Sequence, residues 1–256
     1  MDYSLISDPL FYLIAVPAVL VFGISKGGFG GGLGIVAVPM LALVISPVQA
    51  AAILLPILCL MDLFSVWAFR GRWLVDELRL LVPASLVGIG VGTALFGYMS
   101  AAVIRLMLGA VAIVFTLHYW IGSRRGKHQQ QVHAGSLACS VAGATAGFTS
   151  FVAHSGGPPL TMYLLRRGLN RTEFVGTTVL FFTVVNYVKL VPYAWLDQFD
   201  TSNLLTSLVL APLAPIGIGL GVWLHNRVSD AFFFRVAYVL LFAVGVKLAS
   251  DGIRGL

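Results

Sequence analysis

The chain alternates long apolar runs with short polar connections. Ten runs can be marked, at roughly 9–25, 29–45, 48–69, 79–98, 101–122, 134–153, 157–165, 171–194, 203–223 and 231–250. About 20 apolar residues are needed to carry a helix across a hydrocarbon core, and most of the runs approach that length. The seventh is too short to cross alone. The first and second are marginal and adjoin a glycine-rich stretch, so they read as half-helices or re-entrant pieces.

The polar connections orient the chain. Arg70, Arg72 and Arg79 flank one connection, and Arg124, Arg125 and Lys127 lie in another. Arg166, Arg167 and Arg171 occupy a third, and Arg227 and Arg235 a fourth. Alternating the ten runs from an outer N-terminus gathers these eleven residues on one side, leaving only Arg105, Lys247 and Arg254 on the other. Asp2, Asp8, Asp197, Asp200 and Asp251 fall on that other side too. Loops rich in Lys and Arg stay in the cytoplasm, so both termini are expected outside.

The chain also repeats. A shift of 124 residues lays Gly23 on Gly147, Gly32 on Gly156 and Asp62 on Asn186. A shift of 129 lays the stretch from Pro83 to Gly92 on that from Pro212 to Gly221, the more specific match. These matches predict an N-terminal repeat over 1–123, a cytoplasmic basic linker over 124–133 and a C-terminal repeat over 134–256. Each half holds five runs, an odd number, so the second half must be inverted relative to the first. The predicted fold class is an all-α integral membrane protein. It comprises two inverted repeats of about five helical segments each, with glycine-rich helix breaks at the midplane. Such repeats are typical of secondary transporters.

Composition agrees. Only 10% of the 256 residues are charged and 59% are apolar, against roughly 25% charged in a soluble domain. The start, Met1 to Pro9, has two acids and no basic residue. It does not read as a secretory signal, and the first run is expected to be retained. Cys59 and Cys139 both lie in apolar runs and read as buried thiols. The net charge of +6 sits in the connections, with no zinc-finger spacing and no continuous basic face, so nucleic acid is not an expected partner. Gly23 to Gly27 fits G-x-S-x-G, but that motif needs a preceding strand and acid and histidine partners. The glycine run has no nucleotide-loop spacing either. No catalytic residue, metal ligand or cofactor is predicted.

Four features could carry chemistry. Gly23 to Gly34, with Gly30, Gly31 and Gly32, has seven glycines in twelve residues. Each weakens a helix by about 1 kcal/mol. The run suits either unwound backbone whose N–H groups face a cavity, or close packing through the small residues Gly28 and Gly32. Lys26 lies within it, the sole basic residue between positions 9 and 69. A lysine at membrane depth costs roughly 2.5–3.5 kcal/mol and marks function by default, although one near the surface can snorkel. The second motif, Phe151 to Pro159, contains His154, Ser155, Gly156 and Gly157 and reads as a break followed by a short helix. Ser155 would be its N-cap, and its positive end would favour an anion. On the eighth run Asn186 and Lys189 share a helix face. Asp62, the repeat mate of Asn186, is the acid deepest in the first half. It is a candidate for coupling a proton or for pairing with Lys26.

These stretches resemble the TauE/SafE family of sulfite exporters, membrane proteins with a duplicated domain. The matching parts are Gly23–Pro39 with Gly30, Gly31 and Gly32, Gly147–Pro159 with its Gly-Gly-Pro-Pro, and Phe174–Phe182 through Asn186, Lys189, Pro192 and Tyr193. The Ser-Lys before the glycine run departs from the family's usual motif and suggests a subgroup. The resemblance implies export of sulfite or a small organosulfonate such as sulfoacetate across a bacterial inner membrane. The implied partners are the anion, the lipid bilayer and coupled protons. An anion channel, a carboxylate carrier, an intramembrane enzyme or an assembly factor are the alternatives left open by the residues themselves.

The orientation is directly testable. In a background lacking Cys59 and Cys139, single cysteines at Gln129 and Ser202 are expected to react with an impermeant thiol reagent from opposite sides. Reaction of both from one side rejects the inverted arrangement.

Overall fold

A computed structural model describes the backbone of residues 6–30, 34–124, 135–225, 227 and 230–256. Side chains are described for these except 122–124, 166, 230–237 and 240. Gly31, Gly32 and most of the 124–133 linker therefore lie outside the described residues. Among the described residues the chain forms eleven α-helices and no strand. These are α1 (Pro9–Gly28), α2 (Ala37–Leu41), α3 (Pro47–Ala68), α4 (Val75–Phe96), α5 (Ala101–Arg124) and α6 (Ser136–Ala153). Then come α7 (Gly157–Leu164), α8 (Arg171–Trp195), α9 (Thr201–Leu210), α10 (Leu213–Leu224) and α11 (Asp230–Arg254).

Polar residues at the ends of apolar runs start the helices. Asp8 accepts from Leu10 N–H ahead of Pro9. Ser46 accepts from Gln49 N–H ahead of Pro47. Asn170 and Glu173 form a reciprocal capping box on α8, and Asp200 accepts from Asn203 N–H on α9. Each cap satisfies an N–H that the first helical turn cannot bond internally.

Six helices, α1, α3, α4, α5, α6 and α8, are long and apolar enough to cross a membrane. The pair α9 and α10, bent by 43°, is a candidate for a seventh crossing. The chain is thus a multi-pass membrane protein. Two expectations need correction. The first run is a full helix of 20 residues rather than a half-helix, whereas the described part of the second run contains a 3-10 turn at Gly34–Val36 and the five residues of α2. The ninth run is two helices, because the chain bends at Ala211 and Pro212.

The glycines of the first motif also divide differently from the unwound reading. Gly23, Gly27 and Gly28 remain helical, and α1 ends only at Gly28. Their missing side chains admit the α10 backbone, with Gly23 against Gly217, Gly27 against Ile218 and Gly28 against Gly221. This register makes α1 and α10 parallel. Helices α4 and α6 pack in the same way, with Gly143 against Leu81, Gly147 against Ser85 and Gly92 against Phe151. Small residues let backbones approach closely where lipid gives no hydrophobic drive to association. Helices α5 and α11 run antiparallel, as Gly109 meets Gly245 and Ala249 while Gly252 meets Leu106.

Helices α3 and α8 are also antiparallel. Phe69, just past α3, packs on Val175 and Val179 early in α8, and Asp62 meets Asn186 further along. One end of the bundle therefore gathers the arginine-bearing connections. Phe69 stacks edge-on against His225 at 5.8 Å. Leu74 N–H donates to Thr177 Oγ1, and the Arg171 guanidinium lies over Phe29. Exposed aromatics mark both ends of the spans. Trp67 and Trp223 lie under Arg70 and Arg227 at one end, with Tyr98 and Trp195 exposed at the other. Tryptophan and tyrosine favour the membrane interface in this way.

A paired substitution tests the packing. A Cβ at Gly147 would overlap the Ser85 carbonyl, whereas one at Gly90 meets nothing within 4 Å. Gly147→Ala is expected to destabilise the fold by about 1–3 kcal/mol through overpacking, and Gly90→Ala to be tolerated. Thermal unfolding of both variants in one detergent reads the difference; equal melting temperatures contradict the packing.

Candidate functional site

Four helices bring polar side chains into the centre of the bundle. Helix α3 carries Asp62, which is fully buried. Its Oδ1 lies 2.5 Å from Lys26 Nζ on α1 and accepts from Thr183 Oγ1 at 3.1 Å. Its Oδ2 accepts from Asn186 Nδ2 at 2.8 Å. Lys26 Nζ also donates to Leu58 O. A carboxylate taken from water costs several kcal/mol unless paired and hydrogen-bonded. Asp62 has both forms of compensation, from three side chains on two helices. Lys26 is 3% exposed, so it does not reach an interface as a snorkelling lysine would.

Lys189 on α8 has a different environment. It is fully buried. Its Nζ donates to Ser150 O at 3.0 Å, Ser150 Oγ at 3.0 Å and His154 Nδ1 at 2.8 Å. Three neutral acceptors match the three N–H groups of an ammonium. The histidine tautomer follows from the same contacts. His154 Nε2 lies 2.9 Å from Ala51 O and donates to that carbonyl, while Nδ1 lies 2.8 Å from Lys189 Nζ and 3.2 Å from Ser150 O and in the neutral ring accepts from the lysine. His154 is thus held by contacts to α3, α6 and α8. No described carboxylate makes an ion pair with Lys189.

The break between α6 and α7 builds this arrangement. Helix α6 ends at Ala153, and His154 adopts the left-handed region at φ 51°. That turn aims its ring back toward α3 and α8. Ser155 is not the N-cap. Its Oγ donates to Ala153 O and its N–H to Thr149 O, leaving Gly156 at the cap of α7. Pro158 and Pro159 have no N–H, so Gly156 and Gly157 remain as the donors of that turn. At the other break, Gly30 has φ 70° and lies against the Phe174 ring.

Residues from both halves meet at one small cavity. Lys26, Ser150, His154, Gly157 and Asn186 form its polar lining. Phe22, Leu58 and Phe182 form the apolar remainder. The open space is about that of one or two water molecules. Asp62 and Lys189 stand one hydrogen bond behind its wall. Of the residues singled out in the sequence, Lys26, His154, Gly157, Asn186, Lys189 and Asp62 gather here. Ser155 and Gly30 do not line the cavity. Ser150 and Thr183 were missed. A signal existed for each: the 124-residue shift lays Lys26 on Ser150, and Thr183 precedes Asn186 by one helical turn.

Comparison with known proteins adds a family. The sequence model described as "Sulfite exporter TauE/SafE" matches residues 15–248. A protein of Cupriavidus necator named "Probable sulfite/organosulfonate exporter TauE" is 26% identical over 251 residues, covering 96% of this chain and 95% of its own length. No solved structure matches the chain.

The buried pair predicts strong coupling. Lys26→Gln and Asp62→Asn are each expected to destabilise by about 3–5 kcal/mol, because each strands a buried charge. The double variant should cost clearly less than their sum. Unfolding of all four forms measures this cycle; additive losses would show that the two side chains do not form a buried pair.

Proposed function

This chain belongs to the TauE/SafE family of sulfite exporters, and from that membership we propose that it is a secondary transporter exporting a small sulfur-containing anion. The substrate would be sulfite or an organosulfonate such as sulfoacetate, moved across a bacterial inner membrane. The name of the Cupriavidus necator relative points to the same substrates. One observation carries the reading: a single cavity lined by Lys26 from α1 and by His154, Gly157 and Asn186 from α6 through α8. An oxyanion with three acceptor oxygens needs several donors at once. The Ser150 hydroxyl, the Asn186 amide and the Gly157 N–H are suitable, with Lys189 supplying charge from behind the wall.

The reading includes two inverted repeats, over 1–123 and 134–256. Helix packing supports it. Exchanging α1 with α6 and α10 with α4 turns the parallel pair α1–α10 into the parallel pair α6–α4. The pairs α3–α8 and α5–α11 exchange within themselves and are antiparallel, as mates across an axis in the membrane plane should be. Asp62 and Asn186 are repeat mates and bond to each other, as residues beside such an axis do.

The open space is smaller than a sulfite ion, so loading requires the lining to part. In an alternating-access cycle the break between α6 and α7 supplies a moving joint. Asp62 is the coupling group in this reading. The anion loads while Asp62 is ionised and paired with Lys26, and Asp62 takes a proton on the return of the empty site, so that proton entry is exchanged for anion exit.

Purified protein in liposomes tests the proposal. Sulfite flux is expected to saturate with concentration and to accumulate against its gradient when a pH gradient is imposed. Asp62→Asn should remove the pH-driven accumulation. Non-saturating flux that only follows the anion's own gradient would overturn the carrier reading in favour of a channel.

A further inference from the structure

We propose that the cavity selects anions by charge, taking monoanions such as hydrogensulfite or a sulfonate head group and rejecting compact dianions. This rests on the transport reading above and specifies its substrate class. The basis is a count of the charges around the cavity. Lys26 and Asp62 cancel as an ion pair. His154 Nδ1 and Lys189 Nζ lie 2.8 Å apart, too close for two facing donors, so the two side chains together carry one positive charge, written here on Lys189 with Nε2–H donated to Ala51 O. Lys189 is the remaining charge, with its ammonium held by Ser150 and His154 and with no described carboxylate paired to it. The cluster therefore carries one net positive charge.

A buried single charge is matched by one negative charge. A monoanion gives a neutral occupied cavity. A dianion leaves one uncompensated negative charge inside a low-dielectric bundle, the costly case for any buried ion, and by this count sulfoacetate, a dianion at neutral pH, is the poorer of the two proposed substrates. The Phe22, Leu58 and Phe182 surfaces add to the discrimination. They can face a C–S stem, but they offer no donor to the extra charged oxygen of a dianion. Asp62 and Asn186 make the preference adjustable. They are hydrogen-bonded mates of nearly equal shape, and either can carry the carboxylate.

Methanesulfonate and sulfate form a suitable probe pair, because they are similar in size and differ in charge. Binding to the detergent-purified full chain is read by calorimetry at one pH and ionic strength, with sulfite as a third titrant. Wild type is expected to bind methanesulfonate roughly 30-fold or more tightly than sulfate, the scale of an uncompensated buried charge. Asp62→Asn raises the cluster to two positive charges and should reverse the preference toward sulfate. Asn186→Asp lowers it to zero and should abolish binding of both. The exchange Asp62→Asn/Asn186→Asp restores one net charge and should again favour methanesulfonate over sulfate, at lower affinity for both because the cavity loses the Asn186 donor, which keeps the test open should a single variant be too unstable to purify. Equal affinity of wild type for the two probes overturns the charge selection and leaves the transport reading standing. Failure of the exchange variant to regain the preference also overturns it. Binding of none of the three titrants by wild type overturns the transport reading and this inference together.

Discussion

A carboxylate fully removed from water is the constraint around which this bundle is arranged. Asp62 is tolerable only if cations and donors reach it from other helices. Lys26 reaches it from α1, and Thr183 and Asn186 from α8. Those contacts fix how far α1 is inserted against α3, and they fix the register of α3 against α8. The glycine seams then follow as a requirement of closeness. Helix α1 can carry Lys26 to Asp62 while packing on α10 only because Gly23, Gly27 and Gly28 let the two backbones meet. Sequence, packing and site are thus linked through one buried charge.

The same constraint separates the two lysines, which look alike in sequence. Each lies in an apolar run near a break. Among the described residues only one has an acidic partner, and the other is held by a carbonyl, a hydroxyl and an imidazole. Neutral acceptors satisfy hydrogen bonds without cancelling charge. In the proposed reading the positive potential at the cavity comes chiefly from Lys189, on the side of the second break. The left-handed turn at His154 serves that lysine, since it places an acceptor nitrogen where a helical continuation would place backbone.

Much of the helical plan was legible because lipid imposes a length on apolar runs and caps mark their ends. The runs 48–69, 101–122 and 171–194 correspond closely to α3, α5 and α8. The second and ninth runs were misread for a common reason. Apolarity records burial in lipid or protein, not continuity of the helix, so neither the short α2 nor the bend before α10 left a hydropathic trace. The glycines of α1 were ambiguous because backbone exposure and backbone contact both require a missing side chain. Only the position of α10 resolves which applies. Asp62, Asn186 and the lysines were legible as costly residues, but their partners depend on the tertiary register. Ser150 illustrates the limit. A serine in an apolar helix is unremarkable until a buried ammonium is found against both its carbonyl and its hydroxyl.

In the proposed reading a buried Lys189, with no described carboxylate paired to it, makes this cavity an anion site. The most direct measurement is calorimetric titration of sulfite into wild type and Lys189→Gln, both shown to be folded by size exclusion and thermal melting. The account predicts measurable binding to wild type and its loss in Lys189→Gln, by roughly 30-fold or more in affinity. Sulfite binding that is unchanged in a folded Lys189→Gln protein would contradict it.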